Sequence, residues 1–193
     1  MIEDVRLLEP DAEQILMQIA PCYAVKYKDS KIKKNAEQEL LSGIMLKRCL
    51  GVNQDKQLTC NEFGKPFLVS GDKFFNLSHS DNYVVLAWGD SEVGVDIEKI
   101  RPYHKATAEK IFSTEQKAVL AELTGAARDR AFTKIWTECE AELKLKGTGF
   151  SEGWDKEKGP LEKCSIYSFE FDDCFISLAT EEKVAVTVSS AAQ

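Results

Sequence analysis

A chain of 193 residues, 44% hydrophobic and 30% charged, fits a globular protein with one sizeable domain or two small ones. Its formal net charge of −7 argues against a general nucleic-acid or anionic-membrane binder, because such a surface repels either partner. An anionic ligand must therefore meet a local basic patch or a metal ion.

The amino-terminal stretch carries acids where a signal peptide needs a basic segment and an apolar run, and no later stretch is apolar enough to span a bilayer, so residence in the cytoplasm is expected. The six cysteines, at 22, 49, 60, 139, 164 and 174, contain no CxxC spacing and read as reduced thiols rather than a zinc site. After a turn at Pro21, five lysines (Lys26, Lys28, Lys31, Lys33 and Lys34) form a basic cluster in an acidic protein. From Asn35 to Leu50, Leu40, Leu41, Ile44, Met45 and Leu50 recur at helical spacing, with Asn35 as the expected N-cap.

Phe63-Gly64-Lys65-Pro66 is a turn sequence that sets one lysine on a rigid loop. Segments 74–77 and 83–88 read as strands, and Gly89-Asp90 offers a turn before a third strand at 93–98, so the last two are expected to form a hairpin. Ser78-His79-Ser80 then falls in a loop after the first strand. Adjacent Ser and His do not make a nucleophile and base, and His79 is either a phosphate contact or a structural hydrogen-bonding group. Residues 99–105, around Arg101-Pro102, break the pattern and mark a junction between halves 1–100 and 101–193.

Ser113 to Gln116 has the capping-box pattern of a helix start, and a long helix is expected from Gly125 to near Gly147. From 165 to 189 the period changes to two, with turns at Asp172-Asp173 and Glu181-Glu182, which predicts a small antiparallel meander. Helices plus antiparallel strands make an α+β protein, with no repeat visible in the sequence.

Two constellations carry chemistry. In the strand 93–98, Asp96 and Glu98 share a face while Val93, Val95 and Ile97 point the other way. A carboxylate pair of this kind suits Mg²⁺, although the pair taken alone is more often the solvent-facing polar edge of a half-buried strand. In the long helix, Trp136, Glu140 and Lys144 share one face; the acid and amine are either functional or a surface ion pair worth about 0.3–0.5 kcal/mol.

The order FGKP, FNLSHS, VGVDIE, WTECEAELKLKGTG, spanning residues 63–149, resembles the successive motifs of Sfp-type 4′-phosphopantetheinyl transferases. That resemblance implies a pseudo-dimer of two similar α+β halves, each with a small antiparallel sheet and packed helices, and coenzyme A in the cleft between them. It implies Asp96, Glu98 and Glu140 as magnesium ligands, with Glu140 also the general base. Lys144 and His79 would contact phosphates, Lys65, Pro66 and Ser78 would line the adenosine end, and an apo carrier protein would receive the phosphopantetheine on a serine. A monomer suffices for such an enzyme.

Two departures from the family pattern stand out. Cys139 occupies the place of a phosphate-contacting lysine before Glu140, with Lys146 a possible substitute. Ala36-Glu37-Gln38-Glu39 lacks an arginine near the 3′-phosphate, for which Lys31, Lys33 and Lys34 are the nearest replacements. These departures motivate a second expectation, a degenerate relative that binds coenzyme A or carrier protein without catalysis.

Overall fold

The computed structural model describes residues 1–8, 12–149 and 164–190. In chain order it contains β1 (Ile2–Asp4), α1 (Ala12–Leu16), α2 (Pro21–Asp29), α3 (Lys33–Leu50), β2 (Leu58–Cys60), β3 (Pro66–Leu68), β4 (Phe74–Ser80), β5 (Tyr83–Gly89) and β6 (Val93–Lys99). There follow α4 (Lys105–Ile111), α5 (Thr114–Ala121), α6 (Gly125–Lys146), β7 (Ser165–Phe171) and β8 (Cys174–Thr180). This is an α+β architecture of small antiparallel sheets and packed helices, the class expected from the sequence.

The first sheet has the order β1-β5-β4. Strand pleating divides its residues cleanly between two faces. Phe75 and Leu77 of β4 and Val84 and Leu86 of β5 face α3, where Leu40, Leu41, Met45 and Leu46 complete a core. The helix pattern from Leu40 to Leu50 is thus a core face, as its spacing predicts. The start of α3 differs: the N-cap is Ile32, without a side-chain cap, and Asn35 lies in the first turn. Pro21 makes no turn of its own, but occupies the first position of α2, where a missing N–H costs nothing.

The second sheet has the order β6-β8-β7. This corrects the expected pairing of 83–88 with 93–98: β5 makes its hairpin with β4, through Asp81-Asn82, and β6 pairs with β8 in register Val93↔Thr180 to Lys99↔Cys174. Asp81 adopts φ 51°, a left-handed conformation that Asp tolerates. The strand β4 therefore runs on through Ser78, His79 and Ser80, which are not a loop. The meander expected from 165 to 189 is a β7-β8 hairpin at Asp172-Asp173, and β6 rather than 183–189 supplies the neighbouring strand.

Between the sheets, Val85 of the first and Val95, Ile97 and Ile176 of the second close a common apolar layer with Ile2 and Tyr83. On the far face of β6 lies α6. It begins after Thr124, ends where Gly147 turns left-handed at φ 76° and donates its N–H to Leu143 O, and packs Phe132, Ile135 and Cys139 against α4 and α5. The capping box at Ser113 and Gln116 opens α5 as expected. All six cysteines are free thiols. Among the described residues no helix is long and apolar enough to cross a membrane.

Candidate active site

The site begins with a glycine. A Cβ at Gly94 would stand 2.1 Å from Ala141 O and 2.2 Å from Leu145 N, so β6 lies against the backbone of α6 at a distance no other residue permits. With period two, Asp96 and Glu98 follow Gly94 on the face turned to the helix. The acids accordingly do not form a solvent-facing edge: Asp96 is 5% exposed.

Burying a carboxylate requires partners. Asp96 Oδ1 accepts from Lys144 Nζ at 2.7 Å and from Ser78 Oγ at 2.9 Å, and Lys144 also donates to Ser78 Oγ at 2.9 Å. Lys144 is therefore no surface ion pair with Glu140; its ammonium reaches across to the strand. The other oxygen, Asp96 Oδ2, is buried without a partner among the described residues. Burial pushes the Asp96 carboxyl above the usual range, against the pull of Lys144 and Ser78.

Glu98 is held differently. Its carboxylate accepts from Ser80 Oγ at 3.2 Å and Trp136 Nε1 at 3.3 Å, and Arg101 lies 3.7 Å away while stacking 5.1 Å from the Trp136 ring. Burial raises its pKa as well. Glu140 has no hydrogen-bond partner among the described residues. Burial first, then the charges of Asp96 and Glu98, push its carboxyl up to about 7, with Lys144 opposing.

Three carboxylates thus act on one another across the β6–α6 contact. As the side chains stand, no group of three acids, histidines or cysteines among the described residues is close enough to hold a metal ion. The expected convergence on one ion is not reproduced, because Lys144 ties up one Asp96 oxygen and Ser80, Trp136 and Arg101 hold Glu98. The donor chemistry nevertheless suits a hard divalent cation: all three groups offer oxygen only, one buried oxygen is unsatisfied, and a shared cation would relieve the repulsion recorded at Glu140.

The remaining expected residues fall in three places. Ser78 joins Asp96 and Lys144, but His79, the next residue of β4, is exposed on the opposite face of the sheet, the face that carries Phe75 and Leu77. Lys65 lies at the far end of α6, where its Nζ donates to Leu145 O at 3.1 Å and pairs with Glu92 at 2.5 Å, while Asn61 Nδ2 donates to Gly147 O at 2.9 Å. It closes the helix C-terminus beside Pro66, the first residue of β3. Lys31 is exposed between α2 and α3, and Lys34 pairs with Asp81 at the β4–β5 turn.

Cys139 is 3% exposed and packs in the α4–α6 core, with Gln116 Nε2 at 3.9 Å from its sulfur. Position 139 therefore points into the α4–α6 core, away from Asp96 and Glu98. Sequence reasoning overlooked Ser80, Asn76 and Arg101. The alternation Asn76, Ser78, Ser80 within FNLSHS was the available signal, since polar residues at period two demand a polar neighbour.

A cavity of about 430 Å³ lies elsewhere. Its lining includes Val85, Val95, Ile176, Leu178 and Val184, which puts it on the valine face of β6, behind the acids. Its lining is mainly apolar and includes no Lys, Arg or His side chain.

A match to a known protein family includes this part of the chain. Residues 92–189, from the start of β6 through β8 and beyond, match the 4′-phosphopantetheinyl transferase superfamily. The 4′-phosphopantetheinyl transferase psf-1 of Bacillus pumilus is 41% identical over 91 residues, covering 47% of this chain and 39% of that protein. The 4′-phosphopantetheinyl transferase Sfp of Bacillus subtilis is 28% identical over 184 residues, 90% of this chain and 82% of that protein. The 4′-phosphopantetheinyl transferase gsp of Aneurinibacillus migulanus is 33% identical over 121 residues, 60% of this chain and 51% of that protein.

Proposed function

The chain belongs to the 4′-phosphopantetheinyl transferase superfamily, of the Sfp type, and from that premise we propose that it transfers 4′-phosphopantetheine from coenzyme A to a serine of an apo acyl or peptidyl carrier protein, with magnesium, releasing 3′,5′-ADP. The observation that carries this reading is the juxtaposition of Asp96 and Glu98 with Glu140 and Lys144 across the close approach at Gly94.

Asp96, Glu98 and Glu140 would hold the magnesium ion. When bound, that ion supplies positive charge to the pyrophosphate oxygens, the principal demand of phosphoryl transfer. The chain's own groups divide the remaining tasks. Glu140, brought to the site by α6, removes the proton of the carrier serine as its oxygen attacks the β-phosphorus. The bond from that phosphorus to the bridging oxygen breaks, and 3′,5′-ADP departs with the bonding pair. Lys144, 29% exposed at its side chain, presents its ammonium to a pyrophosphate oxygen. His79 of β4, Lys31 before α3 and Lys34 in its first turn are assigned to phosphate contacts, and Pro66 to the adenosine end. Lys65 and Ser78 have protein partners and serve mainly to hold α6 and Asp96. The enzyme acts as a cytoplasmic monomer.

Labelling of an apo carrier protein by a fluorescent coenzyme A conjugate tests the reading. Asp96→Ala and Glu140→Gln should each slow labelling at least a hundredfold, about 2.7 kcal/mol at the transition state, while circular dichroism stays that of the parent. Labelling within threefold of the parent in either folded variant would remove the site.

A further inference from the structure

One edge of β6 pairs with β8; the other faces β4, and no strand pairs with it among the described residues. Side chains take over there. Val95 N donates to Asn76 Oδ1 at 2.9 Å, Ile97 N to Ser78 Oγ at 3.3 Å and Lys99 N to Ser80 Oγ at 3.0 Å. Alternate residues of one strand thus satisfy alternate amides of another, which a buried backbone requires.

Two of the three rungs do more. Ser78 Oγ, accepting from Ile97 N, donates to the carboxylate of Asp96; Ser80 Oγ, accepting from Lys99 N, donates to the carboxylate of Glu98 at 3.2 Å. Each hydroxyl has one proton and two lone pairs, so a serine whose oxygen receives the backbone N–H is left to aim its own proton at the acid. Asn76 stands opposite the Gly94 end, receives Val95 N and touches no carboxylate.

We propose that Ser80 is a positioning residue for Glu98: it fixes the carboxylate from the neighbouring sheet by the same rung that fixes the strand, as Ser78 does for Asp96. This rests on the reading above that Glu98 binds a divalent ion. Hydrogen-bonding partners of metal-binding carboxylates commonly control affinity by an order of magnitude or more, because a free carboxylate must be ordered at the expense of binding. The ladder also explains why polar residues occupy every second position of β4 opposite an apolar face. They set the two acids in place from a different lobe than the helix that brings Glu140.

The natural control is Asn76, which shares the backbone duty and lacks the carboxylate. Mn²⁺ alone, titrated into the full chain and followed by electron paramagnetic resonance, reads the acids without coenzyme A or turnover. Ser80→Ala should raise the Mn²⁺ dissociation constant about tenfold, Ser80→Thr should restore it to within twofold, and Asn76→Ala should leave it within twofold while lowering the melting temperature. If Ser80→Ala does not fold, Ser80→Cys, nearly the same size but a poor donor, should show at least a threefold loss. Equal weakening by Asn76→Ala and Ser80→Ala would reduce the ladder to holding the strand and overturn the proposal. So would binding by the parent that Ser80→Ala, or Ser80→Cys in its place, leaves unchanged. Absence of Mn²⁺ binding by the parent would overturn the metal reading and this proposal with it.

Discussion

The two faces of β6 solve opposite problems with the same seven residues. Val93, Val95 and Ile97 face the first sheet and are buried among Ile2, Val85 and Ile176, where burial itself stabilises. Asp96 and Glu98 face α6, where burial is costly and Lys144, two serines, Trp136 and Arg101 answer every carboxylate oxygen but Asp96 Oδ2. The apolar face tolerates exchange of similar shapes and lines a cavity; the acid face depends on individual atoms. A strand anchored by its apolar face can keep an acid face whose carboxylates are buried and repel Glu140.

The contact that makes this division possible is the sharpest place to break it. At Gly94 the conflict is with helix backbone, which cannot rotate away as a side chain can. Gly94→Ala should therefore force β6 and α6 apart, costing about 3 kcal/mol or more, with a fall in melting temperature on the order of 10 °C and loss of carrier-protein labelling. Val95→Ala on the opposite face removes volume without displacing the helix. A thermal scan in which Gly94→Ala melts with the parent would mean that β6 does not need this approach.

How much of this was legible in the sequence follows from the same contrast. Periodicities of single segments were legible: the α3 face from Leu40, the capping box at Ser113, the long helix after Gly125, and the shared face of Asp96 and Glu98. Those patterns record which side of an element meets the core. Pairing was not. Gly89-Asp90 looked like the turn of a hairpin, and nothing in VGVDIE states that its partner is CFISLAT, some eighty positions downstream; a strand's partner is set by the whole packing. Individual partners were illegible for the same reason. Lys144 was expected to serve phosphate directly, and no spacing rule reveals that its ammonium bonds Asp96 and Ser78.

The acid face also makes the protein's stability depend on pH, in a direction the apolar face does not share. Glu140 has its carboxyl raised from 4.5 to about 7 in the folded state. Between those values the folded chain binds more protons than the unfolded one, so stability falls as pH rises through that window. With chelator present, melting temperature should decline between pH 5 and pH 7.5. Glu140→Gln should flatten that decline and raise stability at pH 7.5 by about 1–2 kcal/mol once solvent screening of a partly exposed group is allowed for. That is roughly 2–8 °C for a chain of this size. A parent and Glu140→Gln variant with parallel pH profiles would show that Glu140 is not held among repelling neighbours.

The smallest effect sharpens the comparison on α6, whose two sides differ as those of β6 do. Glu140 and Lys144 face the strand; Cys139 lies behind, with Ala108, Phe112 and Phe132. Family resemblance set a lysine at 139, and its absence suggested a weakened or inactive site. The structure gives the opposite expectation, since an ammonium there would enter an apolar core, and burial already pushes the Cys139 thiol up to about 12. Cys139→Ala removes one buried sulfur, for which about 1 kcal/mol and 2–4 °C are appropriate. Labelling rates should stay within twofold of the parent across coenzyme A concentrations. A rise in KM for coenzyme A, without a comparable loss of stability, would put position 139 in the phosphate site and undo the division of α6 into a chemical and a structural side.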